Sequence, residues 1–279
     1  MDSRFILNDR RHSVTDHRNL RLTGNQVDEY RREGYLVYDE PVFSQEKFDE
    51  LKDHFEEELR ALAPDVRPES MDVPHFTDLK LFEWLLSDEV LDLVEPIIGP
   101  DIALFSSHFI CKPKGNGRRV PWHEDSFYWR DMISPMEVVT VWLAVDRSTR
   151  ENGAMVVIPR SLAGDSAHEP VDSNQNVLPW EVRKTPLDDS GAVTIELQPN
   201  HASLHDGRLL HGSPANTSDL RRCGYTMRYM PTTVKLDDAA LSRHRIYLAR
   251  GRDRAGNQYG DPTKSYEELA RFRRRGNGH

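Results

Sequence analysis

The chain has 279 residues, 37% hydrophobic and 30% charged, with a formal net charge of −9. That describes a globular protein with a hydrated surface and length enough for a real core, and its acidity argues against a nucleic-acid partner. No run of about 18 apolar residues is present, which excludes a helical membrane span. Two cysteines, Cys111 and Cys223, do not make a disulfide-stapled fold and read as reduced core thiols. The opening Met1-Asp2-Ser3-Arg4-Phe5 lacks a secretory apolar stretch, and Asn277-Gly278-His279 matches no targeting address, so a cytoplasmic location is expected.

Residues 1–21 are polar and irregular and read as a loose arm. Thr23, Gly24 and Asn25 offer cap chemistry before a short helix over 26–33, ended by Gly34. A strand over 35–38 follows. Ser44 opens a second helix with Phe48, Leu51, Phe55 and Leu59 at spacings of three and four. Two more helices are predicted over 79–86 and 90–97, completing a helical preface over 22–100. The texture changes at Ile102. Segments 102–112, 138–145, 154–158, 193–197, 202–205 and 224–230 read as strands separated by turns. The predicted fold is mainly β with α+β character: a double-stranded β-helix, or jelly roll, over 101–232, with N-terminal and flanking helices. The whole chain, 1–279, reads as one domain with an extension from 233. Residues 160–190 lack periodicity and are expected to form a lid or substrate loop. The basic ending Arg271 to Arg275 reads as a solvated tail.

The most informative segment is His123-Glu124-Asp125. In extended backbone, residues i and i+2 point the same way, so His123 and Asp125 can reach one cation while Glu124 turns aside. With twelve histidines in the chain, one such spacing is expected about once by accident, so its neighbours carry the weight. His54-Phe55-Glu56 has the same form but falls within a helix, where i and i+2 diverge. His12, His17, His75, His168, His201, His244 and His279 fall in loops, turns or termini and read as solvated or satisfied in the core. Far downstream, His205-Asp206 and His211-Gly212 both offer a second imidazole. His211 is preferred because Gly212 permits a close approach and Arg222 follows at a suitable reach. Two imidazoles and one carboxylate leave positions open and suit non-haem Fe(II). Arg222 offers a planar fork for an anionic cosubstrate. Tyr128 and Trp129 lie beside the first pair and are candidates for the substrate wall. Lys112, Lys114, Arg118 and Arg119 form a basic run that reads equally as a greeting for an anion and as a solvated surface.

These motifs resemble the phytanoyl-CoA dioxygenase (PhyH) family of Fe(II)/2-oxoglutarate oxygenases. Trp122-His123-Glu124-Asp125-Ser126-Phe127-Tyr128-Trp129 is similar to its first metal motif, and His211-Gly212-Ser213 with Asn216, Ser218 and Arg222 to its second. Residues 141–145 and 151–159 are similar to its intermediate strands. The resemblance covers roughly 22–232 and departs at Arg160-Ser161-Leu162, where the family usually continues with Gly-Ser-His. It implies that His123, Asp125 and His211 bind iron. It further implies that Arg222, assisted by Ser213, pairs with 2-oxoglutarate, and that Trp142 and His108 line the cosubstrate pocket. The implied activity is oxidation of a C–H bond of a small-molecule substrate by O2, releasing succinate and CO2. Related halogenases carry a small residue in place of the carboxylate, so Asp125 implies hydroxylation over chlorination. A cupin-like metal protein that does not use 2-oxoglutarate is the alternative.

Overall fold

The structure, a computed structural model, describes residues 22–183 and 188–272. The arm expected over 1–21, residues 184–187 and residues 273–279 lie outside the described residues, and with them His12, His17, His279 and most of the basic ending.

Helix α1 (Gly24–Glu33) begins at a capping box in which Thr23 and Gln26 satisfy each other's backbone, and it ends at Gly34 in the left-handed region. Strand β1 (Tyr35–Tyr38) follows, then α2 (Gln45–Ala61), whose N-cap Ser44 accepts a hydrogen bond from Lys47 N. Phe48, Leu51 and Phe55 form its buried stripe. Strand β2 (Met71–Asp72) is too short to show a period in the sequence. The helix expected over 79–86 is instead a 3-10 turn, Leu79–Leu81, leading into α3 (Phe82–Leu85). Leu81, Phe82, Trp84 and Leu85 are all buried, and tightening the turn lets more than one face point inward. Helix α4 (Asp88–Ile98) completes the preface.

Strand β3 (Ile102–Lys112) leads to β4 (Val120–His123), α5 (Asp125–Trp129), β5 (Ile133–Ser134), β6 (Val139–Ala144) and β7 (Met155–Val157). The segment expected to be irregular contains a hairpin of β8 (His168–Pro170) and β9 (Trp180–Val182). Then come β10 (Val193–Ile195), β11 (Ala202–Asp206), β12 (His211–Ser213), β13 (Arg222–Pro231), β14 (Lys235–Leu236), β15 (Tyr247–Arg250) and α6 (Glu267–Phe272). The larger antiparallel sheet runs β1-β11-β6-β13-β3-β15, with β2 also on β3. The smaller runs β10-β7-β12-β4. This is the jelly roll. No helix among the described residues is long and apolar enough to cross a membrane.

Alternation decides what each face of the larger sheet meets. Cys223, Tyr225, Met227 and Tyr229 of β13, with Val139, Val141 and Leu143 of β6, join the cluster that packs against α2, α3 and α4. Phe109 stacks on Tyr225 at 3.9 Å between ring centres, and Phe55 meets Phe109 at 4.9 Å. Cys111 and Cys223 are register partners in this layer, both free and buried. The opposite face carries Trp142, Thr226 and their neighbours and looks toward the smaller sheet. A register shift after Arg228, opposite 104–106, adds one residue to β3. That residue, Phe105, leaves the helical cluster for a second apolar group with Met132, Val138 and Met230.

Arg221 ties α2 to this framework. Its Nε and Nη2 donate to Asp146 at 2.7 and 2.9 Å, Nη1 donates to Glu56 at 3.1 Å, and the guanidinium lies 5.3 Å from the Phe55 ring centre. The hydrogen bond from Arg221 is the main cause holding the Glu56 carboxyl below its usual range. A group depressed in the folded state stabilises above its unfolded pKa and loses that contribution as pH falls through the folded value. Arg221→Met is therefore expected to lower stability by about 1–2 kcal/mol at pH 7, allowing for partial exposure of the pair. Denaturant unfolding across pH checks this: the difference from the parent should shrink as the pH falls through the lowered folded-state value of Glu56.

Candidate metal centre

His123 ends β4 and stands directly opposite His211, which begins β12. The extended strand expected to carry both His123 and Asp125 stops at His123, and Asp125 opens α5. Glu124 between them keeps extended backbone (φ −107°, ψ 130°), so alternation still brings the two side chains to one side. One ligand atom each from His123, Asp125 and His211 lies within 4.8 Å of the other two, and all three residues are buried. Metal bonds of about 2.1 Å place neighbouring ligands about 3 Å apart, so the set fits a cation after small adjustment.

The imidazoles are oriented from behind. His123 Nδ1 lies 2.8 Å from Pro121 O, and His211 Nδ1 lies 2.8 Å from Leu209 O. A carbonyl only accepts, so each Nδ1–H donates and each Nε2 presents its lone pair. Gly212 allows the approach of the strands: a Cβ there would stand 3.0 Å from Val120 O. Burial pushes His211 well below its usual pKa, reinforced by His123 and His205. Burial pushes the Asp125 carboxyl up, but Arg228, His123 and His205 together hold it well below the usual carboxylate range. At neutral pH the His211 imidazole is therefore neutral and Asp125 is ionised. His205, the competing ligand in the sequence, is absent from the three-residue set; its Nε2 lies 3.9 Å from Asp125 Oδ2. Glu124 turns aside and bonds to Ser166 Oγ and Ser126 Oγ. His54 sits not with Glu56 but with Asp78, at 2.6 Å.

Arg222 and Lys112 are directly opposite each other across β13 and β3. Both are essentially inaccessible, at 1% and 0% exposure, and like charges so placed repel. Arg222 donates to Gly153 O (2.8 and 3.2 Å) and to Ser213 Oγ (3.2 Å). Lys112 Nζ donates to Ser213 Oγ at 2.6 Å, to Ser213 O at 3.3 Å and to Pro214 O. Three acceptors call for three N–H groups, as an ammonium supplies, although burial and then Arg222 push its pKa well down. Burial also pushes Arg222 down to about 10. Among the described residues neither cation has a carboxylate within 4.0 Å. Trp142 lies 5.4 Å from the Arg222 guanidinium and is seated on Gly224, where a Cβ would fall 2.0 Å from the indole.

One cavity joins these groups, enclosing about 560 Å³ of space that is partly open to solvent; His108, Trp142, Ser213, Arg222 and the three candidate ligands line it. Tyr128 and Trp129 line an adjoining chamber instead. Val177 and Leu178 bring the 160–190 insert into the wall. The insert is fastened by Glu124 to Ser166, by Arg119 to Glu181 at 2.8 Å, and by Phe127 stacked on His168 at 3.9 Å. The basic run thus divides: Lys112 is in the core, Arg118 and Arg119 hold the insert and Glu69, and Lys114 alone is exposed. The departure at Arg160-Ser161-Leu162 has a local use, since Ser161 Oγ donates to Ile158 O at 2.6 Å and accepts from Leu210 N at 2.9 Å, beside His211. His75, His168, His201 and His244 are held by hydrogen bonds away from the candidate ligands. His205, read in the sequence as a rival ligand, stands in the cavity wall, where the sequence reading missed Thr226 and Arg228. The alternation within 222–228 carried a signal for the last two.

A sequence profile of the phytanoyl-CoA dioxygenase (PhyH) family matches residues 30–224. Phytanoyl-CoA dioxygenase domain-containing protein 1 of Danio rerio is 30% identical over 144 residues, 50% of this chain and 47% of that protein. The chain spans about half the length of the curated relatives it matches. The apo structure of ThoJ, described as a non-heme monooxygenase, is similar with a TM-score of 0.74 and 19% identity, over 90% of this chain and 96% of that one. CytC3 with Fe(II) and alpha-ketoglutarate gives 0.63 and 21%, over 87% and 94%. At these identities the two structures show likeness of fold.

The geometry separates the competing histidines. His211→Ala is expected to weaken Mn(II) or Co(II) binding roughly 100-fold or more, as loss of a ligand. His205→Ala should cost on the order of 10-fold, as loss of a group supporting Asp125. Metal titration by calorimetry checks this, and equal losses would return His205 to the ligand set.

Proposed function

The chain belongs to the phytanoyl-CoA dioxygenase family, and from that premise we propose that it is an Fe(II)- and 2-oxoglutarate-dependent oxygenase. Its reaction is hydroxylation, or another C–H oxidation, of a small molecule by O2, with release of succinate and CO2. The observation that carries this reading is the pair of buried cations, Arg222 and Lys112, sharing Ser213 in the same site as His123, Asp125 and His211. Buried charge without a partner is costly, and a carboxylate is the partner that a planar guanidinium fits. A cupin-like protein that does not use a 2-oxo acid leaves both cations uncompensated.

In this reading His123, Asp125 and His211 hold the iron, which with 2-oxoglutarate and O2 supplies the oxidising chemistry. Arg222 binds the far carboxylate of the cosubstrate. Ser213 Oγ already accepts from Lys112 and Arg222, so both lone pairs are used and its own proton is left to donate to that carboxylate. Lys112 acts through Ser213 and sets the direction of its hydroxyl. Trp142 fixes the plane of the guanidinium from one side. His108 Nε2–H donates to Glu69 O at 2.9 Å, which holds its ring at the pocket wall. Val177 and Leu178 exclude water from that wall. With a carboxylate at position 125, no ligand position is given up to halide, and oxygenation is the expected outcome. The free thiols at Cys111 and Cys223 suit a reducing, cytoplasmic setting.

Anaerobic titration with Fe(II) and 2-oxoglutarate tests the reading through the visible charge-transfer band of the chelated 2-oxo acid. The band is expected only when both are present. Arg222→Ala should weaken 2-oxoglutarate binding roughly 100-fold, and Lys112→Met about 10-fold, while Fe(II) affinity stays within about 3-fold. Absence of the band in the parent protein, or equal loss of metal and cosubstrate in both variants, overturns the proposal.

A further inference from the structure

Beyond Asp125 the cavity continues into the second chamber, walled by Phe105, Ser106, Tyr128, Trp129, Met132 and Arg228. Asp125, His108, Leu178 and Arg228 line both spaces. Arg228 is on the same face of β13 as Arg222 and about 20 Å further along the strand. It therefore stands at the opposite end of the site from the cosubstrate cations.

Four polar side chains lie directly opposite one another across the sheet at this level: His205 of β11, Thr140 of β6, Arg228 of β13 and Ser106 of β3. All four are buried. Among the described residues, Thr140 Oγ1, both ring nitrogens of His205 and Arg228 Nε have no hydrogen-bond partner. A polar rung inside a double sheet, left unsatisfied, points to a ligand that completes it. Arg228 is its charged member, 8% exposed. Among the described residues its hydrogen bond goes from Nη1 to Ser106 Oγ, at a long 3.5 Å, and its guanidinium lies 5.2 Å from the Trp129 ring centre. The carboxylate beside it is Asp125, with Nε 3.6 Å from Oδ2. Asp72, the other carboxylate of this chamber, stands by His108 at 3.7 Å.

The charge of Asp125 is shared with the metal in the reading above, on which this step rests. A ferrous ion, Asp125, dianionic 2-oxoglutarate, Arg222 and Lys112 together carry one net positive charge, so none of their negative charge is left over to neutralise Arg228. Arg228 is then the surplus cation on the substrate side, in a space dried by aromatic rings. We propose that Arg228 anchors the substrate: it pairs with an anionic group, carboxylate or phosphoryl, of a molecule whose apolar body rests against Phe105, Trp129 and Met132. The group that anchors also orients, since it holds one end of the substrate while the metal lies past Asp125.

The test uses enzyme loaded anaerobically with Fe(II) and 2-oxoglutarate, and reads the shift of its charge-transfer band. The probes are 3-phenylpropanoate, its amide 3-phenylpropanamide, and 2-phenylethyl phosphate. One of the anions is expected to bind at least about 10-fold more tightly than the neutral amide, and which one it is assigns the group. Arg228→Gln should remove the preference and Arg228→Lys restore part of it, each variant read at 2-oxoglutarate concentrations that saturate its own band. Anions and amide binding alike, or none of the three shifting the band, overturns the proposal. So does loss of the band in Arg228→Gln, which makes Arg228 a support for Asp125 instead. A parent enzyme that forms no band fails the oxygenase reading itself, an outcome separate from these.

Discussion

In β13 the side chains of Cys223, Tyr225, Met227 and Tyr229 leave the sheet toward the helices, while Arg222, Gly224, Thr226 and Arg228 leave it toward the smaller sheet. The same division runs through β3 and β6. Packing and chemistry are thereby locked to one register: a slip of one residue would place two guanidiniums in the helical core and three tyrosines or sulfur-bearing side chains in the cavity. Phe109 stacked on Tyr225 and Phe55 tilted on Phe109 hold that register from the helix side. The site inherits its geometry from this apolar layer, which touches none of the candidate ligands.

Electrostatics then sets what the cavity accepts. Lys112 opposite Arg222 is an unfavourable pair for an isolated sheet. Its partners are carbonyls and one hydroxyl, which solvate a cation without neutralising it. Such a site is preorganised for an anion: the donors are already aimed and the cost of their burial is part of the folded state. The metal end has the opposite balance, with a neutral His211 and an ionised Asp125 ready for a dication. The two ends differ in sign along one face of the sheet, and a molecule carrying a carboxylate at one end and a chelating group at the other matches both.

The long strands and the two capped helices were legible because composition and end signals agreed: Thr23 with Gln26, Ser44 before the Phe48–Leu51–Phe55 stripe, and the long, largely apolar stretch of 102–112. The candidate ligands were legible for a narrower reason. Extended backbone at Glu124 preserves the i, i+2 rule even though β4 has already ended, so the spacing remained informative although the element did not. Strands β2, β4, β8 and β9, of two to four residues, carry too few alternations to be seen and lack the β-branched or apolar run that marked the equally short β1, β7 and β10. Lys112 and Arg228 were hidden by a prior that places charge in solvent. Gly224 was the overlooked clue, because a glycine inside a strong strand marks a close approach, here by Trp142.

Three histidines crowd this centre, with His205 and His211 only 4.7 Å apart between ring centres, and physical detail separates their roles. A metal ligand needs a fixed ring, and the Nδ1–H of His211 is tied to Leu209 O just as that of His123 is tied to Pro121 O. Among the described residues His205 has no such tie at either nitrogen. Its Nε2 faces Asp125 Oδ2, the oxygen that Arg228 Nε also faces, while Oδ1 turns to His123. Oδ2 is thereby faced by two side chains of the wall, so Oδ1 is the oxygen that would reach a metal held here. One oxygen instead of two would leave a further position for a chelating cosubstrate and dioxygen.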